Sequence, residues 1–156
     1  SLVNEVQGRI RYITKSDLIA GLQLVILKTY NHELFHFYCD VLRNSFGGSH
    51  NALSEEALAV AWARMKLIQE SQRMQTQLGR MNAAVFKLMM LNAFRYASPG
   101  YRDWPLYSDD ASFKSGMVSY LPPRNHIILM NNGVDLGGMM YGLLGSISGG
   151  YVEKII

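Results

Sequence analysis

The chain has 156 residues, of which 49% are hydrophobic and 17% are charged, a composition typical of a folded globular protein and not of a disordered one. The formal net charge of +3 is mild, and no cluster of Arg and Lys interleaved with aromatic residues is present, so we expect no nucleic-acid partner. A single cysteine, Cys39, excludes an internal disulfide framework. The length suits one core, so we expect residues 1–156 to form a single domain, which could itself be a fragment of a longer chain.

The first predicted element is a strand over residues 6–13, where polar and apolar residues alternate as in a half-buried strand. Thr14, followed three residues later by Asp17, then predicts the start of a helix. We predict one helix from about Ser16 to Asn44. Its apolar run over residues 18–27 is too short to span a membrane, and we interpret it as part of a buried core helix.

That helix carries the pattern His-Glu-x-x-His as His32, Glu33 and His36. Because a helix turns once every 3.6 residues, the two histidines project from one face, close enough to bind a single ion. Two imidazoles at this spacing suit zinc, and a carboxylate beside the first histidine can act as a general base on water activated by the metal. Cys39 lies on the same helix, but we interpret it as a small core residue, since free cysteine is usually buried.

A catalytic zinc needs a third protein ligand and keeps its fourth position for water. Glu55 and Glu56 follow Ser54, which we take as the N-cap of a second helix running to about Leu78. Both acids would lie in its first turn. The alternative is that they merely complement the positive end of the helix dipole.

The motif resembles that of the gluzincin metallopeptidases, the group that includes the thermolysin-like enzymes. His32, Glu33, His36 and Asp40 stand in the order of that group, and 19 residues, 37–55, separate His36 from Glu56, as in thermolysin-like enzymes. The resemblance implies one zinc ion bound by His32, His36 and Glu56, with Glu33 as the catalytic base and Glu55 as the fallback ligand. It also implies a zincin-like α+β fold with a mostly helical core and a small antiparallel sheet.

Two positions depart from the gluzincin pattern. Val60 stands where an aspartate would support a ligand histidine, and Glu55 stands where an asparagine usually precedes the ligand. Residues that orient metal ligands tune metal affinity, so these changes leave open which residue orients the histidines. Asp40, one turn beyond His36, is a candidate for this orienting role; the alternative is that it simply faces solvent.

After a third predicted helix from Met81 to about Tyr96, the composition changes to Gly, Tyr, Ser and Asp. We predict a strand at residues 126–130 and a hairpin at residues 146–152. This tail could complete a sheet with residues 6–13, or it could cover the cleft. Tyr101, Tyr107 and His126 could each stabilise an oxyanion. A loop tyrosine is usually a packing residue, so none of the three is assigned to the site.

The sequence therefore predicts a zinc-dependent peptidase that hydrolyses protein or peptide substrates. One alternative is a non-catalytic, zinc-stabilised interaction module, and another is a helical interaction domain whose histidines are buried by chance. No Asn-x-Ser/Thr site occurs in the chain, which is compatible with a cytoplasmic location, although the initial serine is also compatible with a removed leader. Oligomeric state is not indicated.

Overall fold

The computed structural model describes residues 13–49, 51–120, 123, 126 and 135–138. These residues form helices joined by short connections: α1 (Lys15–Phe46), α2 (Ala52–Ser71), α3 (Gln77–Arg80), α4 (Ala83–Ala93), a 3₁₀ helix (Tyr101–Tyr107), α5 (Asp110–Met117) and a second, short 3₁₀ helix (Val118–Tyr120). The predicted helix at residues 16–44 corresponds to α1, with ends within two residues of the prediction.

The predicted α+β fold is wrong for the described part of the chain, which contains helices and no strand. In this part of the chain the helices bury apolar residues against one another. Helix-on-helix packing is one of the stable architectures, and it needs no sheet. The predicted strand at residues 6–13, except Ile13, and the predicted hairpin at residues 146–152 lie outside the described residues. So does the predicted strand at 126–130 except for His126, which is helical.

The start of α1 is set by a capping box, as predicted. The Asp17 amide donates a hydrogen bond to Thr14 Oγ1 at 3.1 Å, and the Thr14 amide donates to Asp17 Oδ2 at 3.0 Å. The other carboxylate oxygen of Asp17 accepts a hydrogen bond from the Asn82 amide at 3.1 Å. Asp17 therefore joins the start of α1 to the start of α4.

Helices α1 and α2 are antiparallel neighbours across a connection that begins with Gly47, whose φ of +69° favours glycine. Helix α2 is central, since every residue from Ala57 to Ala63 is buried. One apolar cluster packs the C-terminal half of α1 against the start of α2 and α5, and a second packs the N-terminal half of α1 against the end of α2, α3 and α4. His32 and His36 lie on α1 between Leu24 of the second cluster and Leu42 of the first.

The apolar run of α1 is less buried than predicted. Ala20 and Leu24 are buried, but five large apolar side chains are at least half exposed: Leu18, Ile19, Leu22, Val25 and Ile26. The run is apolar around the whole helix, whereas the described elements pack against only one side of it. In the part of the chain that the structure describes, no helix combines the length and the apolar character needed to cross a membrane.

Two predicted boundaries on the second helix need correction. Asn51, not Ser54, is the N-cap of α2, because its side chain accepts a hydrogen bond from the Ser54 amide at 3.1 Å. Helix α2 ends at Ser71, not near Leu78, and Gly79 lies within α3. The third predicted helix, 81–96, corresponds to the shorter α4.

We expect Asp17→Ala to lower the free energy of unfolding by about 1–3 kcal/mol, because it removes the helix cap and a link to α4. Hydrogen bonds, first of all from the Thr14 amide, lower the pKa of Asp17. Its contribution is therefore present above about pH 4 and is lost as the pH falls through the lowered pKa. Urea unfolding at pH 7 and at pH 3 measures both effects.

The control is Asp110→Ala, which removes an exposed acid paired with Lys114 on α5 and should cost much less. Equal losses in the two variants at pH 7 would contradict the role assigned to Asp17.

Candidate metal centre

His32 and His36 lie one turn apart on α1, and both rings point toward the start of α2. Their Nε2 atoms are 3.2 Å apart. Glu56, on the first turn of α2, places its Oε2 atom 3.3 Å from Nε2 of His32 and 3.5 Å from Nε2 of His36. The three residues that the sequence singled out as ligands therefore converge, and among the described residues they form the group that could hold a metal ion.

The geometry of this triad fits a tetrahedral ion. Bonds of about 2.0–2.1 Å from zinc to imidazole nitrogen or carboxylate oxygen require neighbouring donor atoms to lie about 3.3 Å apart, and the three observed separations are 3.2, 3.3 and 3.5 Å. Glu56 Oε2 is also buried without a hydrogen bond. A buried carboxylate oxygen needs a partner, and a cation among the three donor atoms would provide one.

Glu55 is hydrogen-bonded to the second histidine and is not one of the three converging donors. It is 5% exposed, and its Oε1 accepts a hydrogen bond of 2.8 Å from Nδ1–H of His36. In the neutral tautomer with the proton on Nδ1, the lone pair of His36 is on Nε2, which faces the triad. Glu56 is therefore the better candidate for a third ligand, and Glu55 is a candidate for the orienting role that an aspartate at position 60 would have in the thermolysin-like pattern. Val60 is part of the apolar core instead.

Arg43, two turns beyond His36 on α1, neutralises the buried charge of Glu55. Its guanidinium lies 3.4 Å from Glu55 Oε2 and also pairs with Asp40. Asp40 was a candidate to orient a histidine directly, but its described partner is Arg43. Asp40 is thus linked to His36 through Arg43 and Glu55.

The electrostatic surroundings of His32 suit a metal ligand. Burial lowers the pKa of His32, and the neighbouring His36 lowers it further, against the opposing effect of Glu56 and Glu33. A lowered pKa favours the neutral form of the His32 ring, and a neutral ring has a lone pair for a metal.

Tyr101, the first residue of the 3₁₀ helix, lies beside the triad. Its ring stacks on His32 with the centroids 5.6 Å apart. Burial raises the pKa of its hydroxyl, and a hydrogen bond to Glu56 and the charges of Glu56 and Glu33 raise it further. The sequence offered Tyr101 as a chemically suitable residue but gave no signal that would select it from the nine tyrosines.

Gly100 allows the 3₁₀ helix to come this close. Its φ is +80°, and a Cβ atom added there would lie 3.1 Å from both Glu56 Cβ and the Leu53 carbonyl oxygen. A side chain at this position would push the segment, and Tyr101 with it, away from α2.

Glu33 follows His32 on α1 and is exposed. Its negative charge raises the pKa of both His32 and Tyr101, so it lies near both side chains. It is not one of the converging donors, which leaves its carboxylate available to accept a proton.

The remaining candidates from the sequence lie elsewhere. Cys39 is fully buried in the first apolar cluster, and burial strongly raises the pKa of its thiol, which disfavours the thiolate that binds metals. Tyr107 packs against the same cluster. His126 is not in the group of described residues that could hold a metal ion. His50, a loop histidine that the sequence makes a second-choice ligand, lies outside the described residues.

Comparisons of the chain with known protein families, with curated proteins and with solved structures gave no match. The gluzincin resemblance therefore rests on the sequence motif within residues 32–56.

We expect Glu55→Gln to weaken zinc binding by about 10–100-fold, because it disturbs the orientation of His36 without removing a ligand. Glu56→Gln removes a ligand and should weaken binding more. Competition with a chromophoric chelator measures both affinities.

Glu70→Gln makes the same change near the other end of α2, where Glu70 pairs with Arg73, and should leave the affinity unchanged. If Glu55→Gln proved more damaging than Glu56→Gln, Glu55 would be the third ligand and our assignment would be wrong.

Proposed function

We propose that this protein is a zinc-dependent hydrolase that cleaves peptide bonds. The observation that carries the proposal is the convergence of His32, His36 and Glu56 at separations that suit a tetrahedral ion. Glu33 is a carboxylate that is not among these donors; it is exposed, and its charge acts on His32. The order and spacing of these residues resemble those of the gluzincin peptidases, which is the reason to choose a peptide as the substrate.

Zinc bound there would supply a Lewis acid that activates water and polarises the substrate carbonyl. Side chains of the protein would carry out the proton transfers and would orient the metal ligands. Glu33 accepts the proton of the attacking water, and then donates it to the leaving amine as the peptide C–N bond breaks. Glu55 keeps His36 in the required tautomer throughout.

Tyr101 is the residue we propose for stabilising the negative charge that develops on the carbonyl oxygen. Its raised pKa keeps the hydroxyl protonated at neutral pH, so it can donate a hydrogen bond. Stacking on His32 fixes the ring beside the triad. A donor held in place before the reaction is effective because it needs no reorganisation in the transition state.

A second candidate function is a non-catalytic, zinc-stabilised interaction module. One observation favours it: the ligands come from α1 and α2, the two longest helices, so an ion would cross-link the centre of the fold. If the protein is such a module, removal of zinc by a chelator would unfold the chain. Neither the wild type nor any variant would hydrolyse peptides.

We expect Glu33→Gln to abolish peptide hydrolysis while the zinc content stays near that of the wild type, because an amide cannot accept the proton and Glu33 is not a ligand. The assay is mass spectrometry of a peptide library combined with elemental analysis. His36→Ala is the matched comparison, since it should lose zinc and activity together. Zinc loss in Glu33→Gln, or unchanged hydrolysis, would refute the assigned role.

Tyr101→Phe should lower kcat by about 100-fold and leave KM and zinc content nearly unchanged, because it removes a hydrogen-bond donor needed mainly in the transition state. Tyr96→Phe is the control, since Tyr96 packs on Tyr101 at a centroid distance of 5.4 Å and should retain full activity. Equal rates in the two variants would show that Tyr101 only packs.

A further inference from the structure

A cavity of about 400 Å³ lies between α2, α4 and the 3₁₀ helix. Six of its lining side chains are apolar: Ile68, Phe86, Met90, Leu91, Phe94 and Trp104. The indole N–H of Trp104 already donates to the Phe94 carbonyl at 3.0 Å. The volume is within the range of small-molecule sites, and an apolar wall with few polar groups is typical of them.

The other two lining residues, Arg64 and Lys87, are cations. The Arg64 guanidinium is half-buried and lies over the Trp104 ring, 4.9 Å from its centroid. Lys87 is exposed. Among the ion pairs of the described residues, neither side chain has an acidic partner. Two such cations beside an apolar wall match a ligand that has an acidic group and an apolar body.

The cavity is separate from the metal centre. Arg64 follows Glu56 by eight residues on α2, which is about 12 Å along a helix axis, and no lining residue is a metal ligand. The lining also argues against a peptide. Its side chains include no carboxylate, amide or hydroxyl that could accept hydrogen bonds from peptide N–H groups, and an unsatisfied N–H is costly to bury.

We propose that this cavity binds the anion of a medium-chain fatty acid. The carboxylate pairs with Arg64 and Lys87, and the alkyl chain lies against the apolar side chains, from Trp104 to Leu91. Arg64 is the stronger determinant, because burial and its contact with Trp104 leave its guanidinium partly dehydrated, and an ion pair is worth more where water is excluded.

The test is titration of the full chain with decanoate, decanol and decyltrimethylammonium, followed by calorimetry and by tryptophan fluorescence. Trp104 lines the cavity, whereas the other tryptophan, Trp62, is buried in the first apolar cluster. Decanoate should bind about fivefold more tightly than decanol, and the cationic amphiphile should bind more weakly than either. From hexanoate to decanoate the affinity should rise by up to about fourfold per methylene.

Arg64→Gln should reduce the decanoate affinity to about that of decanol. Decanol affinity should stay unchanged in this variant, and that result would show that the cavity is intact. Arg64→Lys keeps a positive charge and should retain the preference for the anion. Lys15→Gln, an equal charge change at the start of α1, should change neither affinity.

Several results would overturn the proposal. One is that decanol binds as tightly as decanoate. Another is that Arg64→Gln does not change decanoate affinity, which would indicate that the carboxylate binds elsewhere, for example at the metal triad. Absence of saturable decanoate binding would also refute it. Tighter binding of the dipeptide N-acetyl-Leu-Phe than of decanoate would assign the cavity to a peptide instead.

Discussion

The hydrogen bond between Nδ1–H of His36 and the buried carboxylate of Glu55 is the contact on which the candidate site depends. A carboxylate that is 5% exposed is tolerated only with partners, and Glu55 has them on α1, in His36 and Arg43. The pairing therefore fixes the register between α1 and α2. Glu56, the next residue of α2, is then placed against the Nε2 atoms of both histidines.

The approach of the two helices is possible because of the small residues of α2. Ala57, Ala59, Ala61 and Ala63 are all buried, and they let this helix lie in the centre of the fold with neighbours on several sides. The apolar clusters on either side of the triad restrict movement of α1 relative to α2. The result is a polar group held between two close-packed regions, which is the support that a functional site needs.

The charged groups around the triad differ in exposure. Glu55 is buried and hydrogen-bonded to His36, and its ion-pair partner Arg43 is partly exposed. Glu33 is exposed, and its charge acts on both His32 and Tyr101. The acidic residues near the histidines therefore include one that is removed from water and one that is in contact with it.

Local sequence signals predicted much of this arrangement. The Thr14–Asp17 capping box and the two histidines one turn apart follow from short-range spacing, and the structure agrees with both. The choice of Glu56 over Glu55 came from the gluzincin resemblance, and the structure brings Glu56 to the Nε2 atoms of the two histidines. The role of Glu55 was not predictable, because an acid in the first turn of a helix is explained equally well by the helix dipole. Only tertiary packing shows that it meets His36. Tyr101 was named but not selected, because its place beside His32 depends on a turn at Gly100 that spacing in the sequence does not indicate. The sheet was inferred from local alternation and turn signals together with the resemblance, and the described residues form helices alone.

X-ray absorption spectroscopy of the full chain loaded with zinc would test the central claim most directly. Our account predicts one zinc per chain, with nitrogen and oxygen donors at about 2.0–2.1 Å and the outer-shell scattering of two imidazole rings. A sulfur donor at about 2.3 Å, which would have to come from Cys39, or a failure to retain one equivalent of zinc would contradict it.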